Sequence, residues 1–282
     1  MAFKSFVVFA TDLDGDAGAI QSALALARKQ SAHLDIYCLG IEPAHYDVMA
    51  AGTGAVLLQR ASSEAQSRAQ ALTEKVEELL SNDDPRVAVL PVVAPQQGLE
   101  NAVARRGRYG EMAVAMRPYG DGGNSLAVDV VEAELFGAGI PVLILPGPEP
   151  IADNAPDSSR VMIAWNESDE ALAAVRRALP LLKTAGHVDI VMVDPPSHSP
   201  ERSDPGGGLC MMLSRQGVSC EVSILARTMP RISDVLIRFA RDRGTDAVIM
   251  GAYGHSRIRE ALLGGVTREM LESAEIPVFM AR

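Results

Sequence analysis

The chain reads as an α/β protein of two tandem doubly wound domains, each a five-stranded parallel sheet with helices on both faces in the Rossmann-like manner. Three observations predict this. Short aliphatic runs alternate with stretches of helical period along the whole length, the pattern of a parallel sheet covered by helices. The programme then runs a second time: Leu135-Phe-Gly-Ala-Gly-Ile leads into Ile140-Pro-Val-Leu, and Leu271-Glu-Ser-Ala-Glu-Ile leads into Ile276-Pro-Val-Phe. Between the copies lies a stretch rich in Pro, Asp and Ser, the composition of a linker. The expected division is 1–148, linker 149–159, and 160–282.

In the first copy, Phe6 to Ala10 is an apolar run stopped by Thr11 and Asp12, as in a buried strand. Ile20, Leu24 and Ala27 mark the next helix, with Asp16 as its expected cap. Leu34 to Leu39 is the second strand. Ala61, Ala65, Ala69, Leu72, Val76 and Leu79 recur at helical spacing. Strands follow at Val87–Leu90, Met112–Met116 and Ile140–Leu145, separated by helices near Leu99–Arg106 and Leu126–Phe136. The second copy places strands at Val161–Ala164, Val188–Val193, Cys220–Ile224, Ala247–Met250 and Ile276–Met280. Helices are expected around Ala171–Leu182, Leu209–Arg215, Ser233–Arg243 and Thr267–Ser273.

Composition bounds the function. With 48% apolar and only 4% aromatic residues the core is aliphatic. A net charge of -10 argues against a nucleic-acid surface, which needs clustered Lys and Arg. The cluster Arg105-Arg106-Gly-Arg108 reads as a solvated helix end. No apolar run reaches the roughly 18 residues of a membrane helix, and Met1-Ala-Phe-Lys4 runs into a strand rather than a signal peptide. Three cysteines without a CxxC pair suit a reducing compartment. A cytoplasmic location is expected.

In open α/β sheets a ligand binds beyond the carboxyl ends of the strands. There the second copy carries Gly251-Ala-Tyr-Gly254-His255-Ser256, then Gly264-Gly265-Val266-Thr267 before a helix. Glycines admit a ligand close to the backbone, and a helix start offers free N–H groups and the positive dipole end, which together suit phosphate. Turns and a tight helix–sheet contact would call for the same glycines, and Thr267 could simply cap the helix. Asn166, at another strand exit, suits a base or sugar hydroxyl; alone, it would serve equally to bond its own backbone. Ser256 could donate to phosphate, and His255 could meet it through its backbone. A P-loop, a dinucleotide fingerprint, a nucleophile elbow and clustered metal ligands are all absent from the sequence. Asp12-Leu-Asp-Gly-Asp16 lacks the glycine and glutamate of a calcium loop.

These residues resemble the universal stress protein family, and the chain looks like two such domains in tandem. The family signature G-x2-G-x9-G-[ST] fits Gly251, Gly254 and Gly264, with Gly265 where Ser or Thr is usual. Val266, Thr267 and the strand from Ile276 continue the pattern. The resemblance implies an adenine nucleotide alpha hydrolase-like fold and ATP in the second domain, with Mg2+ or Mn2+ carried by the phosphates. It implies Met192 against adenine and Asn166 where an Asp usually contacts the nucleoside. It further implies pairing of the strands at Ile140 and Ile276 as an intramolecular pseudo-dimer, with a homodimer as a further possibility. Aligning the two Ile-Pro-Val strands puts Ala115, Pro118, Val128 and Asp129 opposite Gly251, Gly254, Gly264 and Gly265, which would leave the first domain without a family-type ATP site. The expected function is stress-response regulation by a nucleotide, with at most slow ATP hydrolysis; the alternative is a nucleotide-free scaffold.

Overall fold

A computed structural model describes residues 3–43, 54–81, 84–119, 125–147, 149, 159–195, 203–252 and 265–282. The first half runs β1 (Ser5–Ala10), α1 (Leu13–Gln30), β2 (His33–Glu42), α2 (Gly54–Leu80), β3 (Val87–Pro95), α3 (Leu99–Gly107), β4 (Met112–Met116), α4 (Ser125–Glu132) and β5 (Val142–Leu145). The second runs β6 (Arg160–Ala164), α5 (Asp169–Arg177), α6 (Leu179–Leu182), β7 (His187–Val193), α7 (Gly207–Arg215), β8 (Cys220–Leu225), α8 (Ile232–Arg243), β9 (Ala247–Gly251), α9 (Val266–Ser273) and β10 (Val278–Ala281).

All ten strands form one sheet in the order β3-β2-β1-β4-β5-β10-β9-β6-β7-β8. Within each half every pairing is parallel. Strand alternation sends side chains to two cores. Phe6, Val8 and Ala10 of β1 join α1, α2, α5 and α7 on one face, while Val7 and Phe9 join α3, α4, α8 and α9 on the other.

The halves meet where β5 pairs antiparallel with β10. Val142 and Val278 are repeat partners, as are Ile144 and Met280, yet the ladder sets Val142 against Met280 and Ile144 against Val278. Leu143 faces Phe279 between them, so a local pseudo-twofold axis passes through that pair. The contact covers two strand edges that would otherwise expose a row of unpaired backbone groups. Side chains reinforce it: Arg117 donates to the Ala274 carbonyl at 3.3 Å, and the guanidinium of Arg268 lies over the Tyr119 ring at 5.2 Å.

Three expectations are corrected. Asp12, not Asp16, caps α1, accepting from the Gly15 amide at 2.6 Å. Asp16 instead reaches back to the amides of Thr11 and Asp12 at 2.7 and 3.2 Å, because it stands one turn inside the helix. The helix from Ser125 does not run regularly to Phe136: it widens to a π turn over Ala133–Ala138 and ends on Gly139 in the left-handed conformation. The third correction concerns the strand registers of the two halves and is taken up with the site.

Candidate functional site

In the second half the strand order runs β8-β7-β6-β9-β10, so consecutive connections leave β6 to opposite sides and a crevice opens between β6 and β9. A cavity of about 170 Å³ lies there. Its floor is aliphatic: Ala164, Val191, Val193 and Met250. Three helices start around it, contributing Ser168 and Glu170 from the α5 entry, Ile232 from α8, and Val266 and Thr267 from α9. Each start turns backbone N–H groups and the positive end of a helix dipole toward the crevice. Among the described residues the lining holds no Lys or Arg, and Glu170 supplies the one carboxylate of the described wall.

Local sequence explains this arrangement. Ser168 caps α5 by accepting from the Ala171 amide at 3.1 Å. Asn166 accepts from the Ser168 amide at 3.2 Å and its hydroxyl at 2.7 Å, an Asx turn that brings the chain from strand to helix. Glu167, between them, is held at φ 63°, a left-handed conformation a side chain resists. The hydroxyl of Ser233, 1% exposed, donates to Glu269 at 2.7 Å and ties the starts of α8 and α9 together. Trp165 lines the crevice at 8% exposure, and its indole N–H has no partner among the described residues.

Of the sequence-predicted residues, the cavity brings together Asn166, Gly251, Val266 and Thr267. Gly265 caps α9, and a Cβ there would meet nothing within 4 Å among the described residues. Thr267, buried, is therefore inside the helix rather than its cap. Gly251 has a packing reason: a Cβ would stand 2.6 Å from the Ala171 amide nitrogen, so α5 could not approach β9 as it does. Gly254, His255, Ser256 and Gly264 lie outside the described residues. Met192 is corrected. Its side chain is 1% exposed and belongs to the core on the opposite face, while its neighbours Val191 and Val193 line the cavity. Strand alternation was the signal that would have selected the two valines.

The ladders also correct the alignment of the halves. Val142 pairs with Ala113, and Val278 with Val248; Leu145 pairs with Met116, and Ala281 with Gly251. Met116, not Ala115, therefore stands where the second half has Gly251. One strand further in, Ala113 pairs with Val7 and Val248 with Met162, so Phe9 matches Ala164. Tyr37, paired with Phe9, matches Val191, paired with Ala164. Phe9 and Tyr37 stack with ring centroids 5.2 Å apart. In the first half, two aromatic rings thus occupy the place of the second half's cavity floor.

Residues 214–282 match the model of the universal stress protein family. This region is similar to the universal stress protein family. A universal stress protein of Synechocystis sp. is 31% identical over 93 residues, which is 33% of this chain and 31% of that protein. One from Methanocaldococcus jannaschii is 34% identical over 47 residues, 17% of this chain and 29% of its own length. The chain thus spans about a third of the curated universal stress proteins it matches. A solved universal stress protein from Archaeoglobus fulgidus covers 100% of this chain and 97% of its own, with a TM-score of 0.73 at 15% identity. The two halves together therefore have the fold of that universal stress protein. No helix among the described residues is long and apolar enough to cross a membrane.

Proposed function

We propose that this protein binds ATP, or another adenine nucleotide, in the crevice between β6 and β9 and acts as a nucleotide-responsive regulator in the stress response of the cytoplasm. The observation that carries the reading is the pairing of an aliphatic floor with three helix starts: Ala164, Val191, Val193 and Met250 suit an adenine ring, and the entry to α9 suits phosphate. A divalent cation, Mg2+ or Mn2+, would be carried by the phosphates, with Glu170 the one carboxylate of the described lining. Bound, it would neutralise phosphate charge, and the chain's own residues would orient the nucleotide. Any hydrolysis is expected to run well below the roughly 1 per second of an ordinary enzyme.

A second reading, a nucleotide-free scaffold of the same fold, is favoured by one observation: packing against α5 already accounts for Gly251. Either way we read the chain as a pseudo-dimer of its two halves, supported by the symmetric β5–β10 ladder. Further homodimerisation is a proposal for sedimentation to test. Calorimetry with ATP and Mg2+ and analysis of nucleotide released on denaturation decide between the readings. Measurable heat or co-purified adenine nucleotide is expected; neither, at millimolar ATP, would leave the scaffold.

A further inference from the structure

Helix α7 and the edge strand β8 form a unit at the outer margin of the second half. A tight turn through Gln216 and Gly217 joins them, with Gly217 at φ 82°. Leu209 and Leu213 are buried and fix one side of the helix against the sheet. On its flank the sulfurs of Cys210 and Cys220 stand 3.3 Å apart. Each thiol also lies against the other residue's backbone, Cys210 Sγ at 3.8 Å from the Cys220 carbonyl and Cys220 Sγ at 3.5 Å from that of Cys210. Both cysteines are free and partly exposed.

We propose that Cys210 and Cys220 are a reversible oxidation site, converted by a hydroperoxide to a disulfide that clamps α7 to β8. A disulfide bond is about 2.05 Å long, so side-chain rotation within this helix–turn–strand unit supplies the approach. The hydroperoxide oxidises one thiolate to a sulfenic acid, its O–O bond breaking and the displaced oxygen leaving as water or an alcohol. The second sulfur attacks the first, the S–O bond breaks, the S–S bond forms, and water leaves with the second thiol's proton. Two electrons pass from the thiol pair to the peroxide. Dithiol reductants reverse the change. Burial and the neighbouring Cys210 thiol push Cys220 up to about 11, so the reaction should quicken as pH rises.

The third cysteine is an internal control. Cys38 is wholly buried, and burial likewise pushes it up to about 11. The full-length protein would be treated with hydrogen peroxide, quenched, denatured and titrated for thiols. We expect the count to fall from three to one, the intact mass to drop by two hydrogens, and a peptide linking Cys210 to Cys220 to appear, all reversed by dithiothreitol. Cys210→Ser and Cys220→Ser should each abolish the linked peptide. Retention of three thiols would overturn the proposal, as would sulfinic acids or links between chains in place of the internal bond. Native mobility of the untreated variants reports their folding separately.

Discussion

Phe9 and Tyr37 stack where Ala164 and Val191 leave space, and that exchange separates the two halves more sharply than any glycine. Both pairs occupy the same ladder position and face the same core. Helix entry differs too. The repeat places Asp129 opposite Gly265, but α4 already begins at Ser125, so Asp129 lies inside a helix whereas Gly265 caps one. Amides that face the crevice in the second half are, at this point of the first, within a continuing helix. The first half keeps the strand order, fills the floor space and has its helix begin earlier in the repeat. Fold and site are thus separable within one chain.

Reversing the aromatic filling should have the largest effect. Phe9, 5% exposed, anchors the first-half core, and Phe9→Ala should lower unfolding stability by about 3–5 kcal/mol, measured by urea denaturation. It should confer no nucleotide binding on that half, because the helix entry there stands elsewhere in the repeat. A second molar equivalent of bound ATP would show that the rings alone close the first site.

The opposite change tests the second half. Ala164→Phe copies the first-half residue into the cavity floor and should weaken adenine-nucleotide binding by roughly 100-fold or more, about 2.7 kcal/mol, with the far-UV spectrum unchanged. Unaltered affinity in a folded variant would remove the floor from the proposed site.

Such a test could not have been designed from motifs alone. The strand–helix alternation and the repeat were legible because each rests on local periodicity or direct sequence likeness, whereas the pairing of the Ile140 and Ile276 segments was legible only through the family resemblance. Gly251, Asn166, Val266 and Thr267 were legible because they sit at strand exits and a helix entry. Register was not. Counting back from Ile-Pro-Val set Ala115 opposite Gly251, whereas hydrogen bonding sets Met116 there: one residue of difference in the connection behind β4 and β9 flips which side chain faces which core. The same period-two rule exchanged Met192 for Val191 and Val193. The Phe9–Tyr37 filling needs both the register and the pairing of separate strands, which neither segment carries by itself.

Gly251 sharpens the comparison at backbone level. Its counterpart Met116 tolerates a side chain, but a Cβ on Gly251 would meet the α5 entry at 2.6 and 2.8 Å. Since those contacts are backbone atoms, Gly251→Ala must shift α5 and should cost about 1–3 kcal/mol, seen as a lower thermal midpoint. Affinity should fall with it, because Ser168 and Glu170 ride on that helix entry. A variant of unchanged stability would mean that α5 is free to move.

The smallest effect lies at a buried position where the halves differ in charge. The repeat places Met270, 1% exposed, opposite Glu134, which is wholly buried with neither carboxylate oxygen partnered among the described residues. Desolvation, and after it the charge of Asp16, raises the Glu134 carboxyl well above its ordinary value. The folded state therefore holds this proton at pH values where the unfolded chain has released it. Stability from this group is present below about pH 4.3, the ordinary glutamate value, and is lost as pH rises toward the raised folded value. Glu134→Met borrows the second half's residue and removes that loss. The variant should be more stable than the parent near pH 7.5, with the gain shrinking toward pH 4, as followed by thermal midpoints across that range. A gain independent of pH would place the effect in packing. A loss at every pH would show that the π turn over Ala133–Ala138 requires the carboxyl despite its lack of partners.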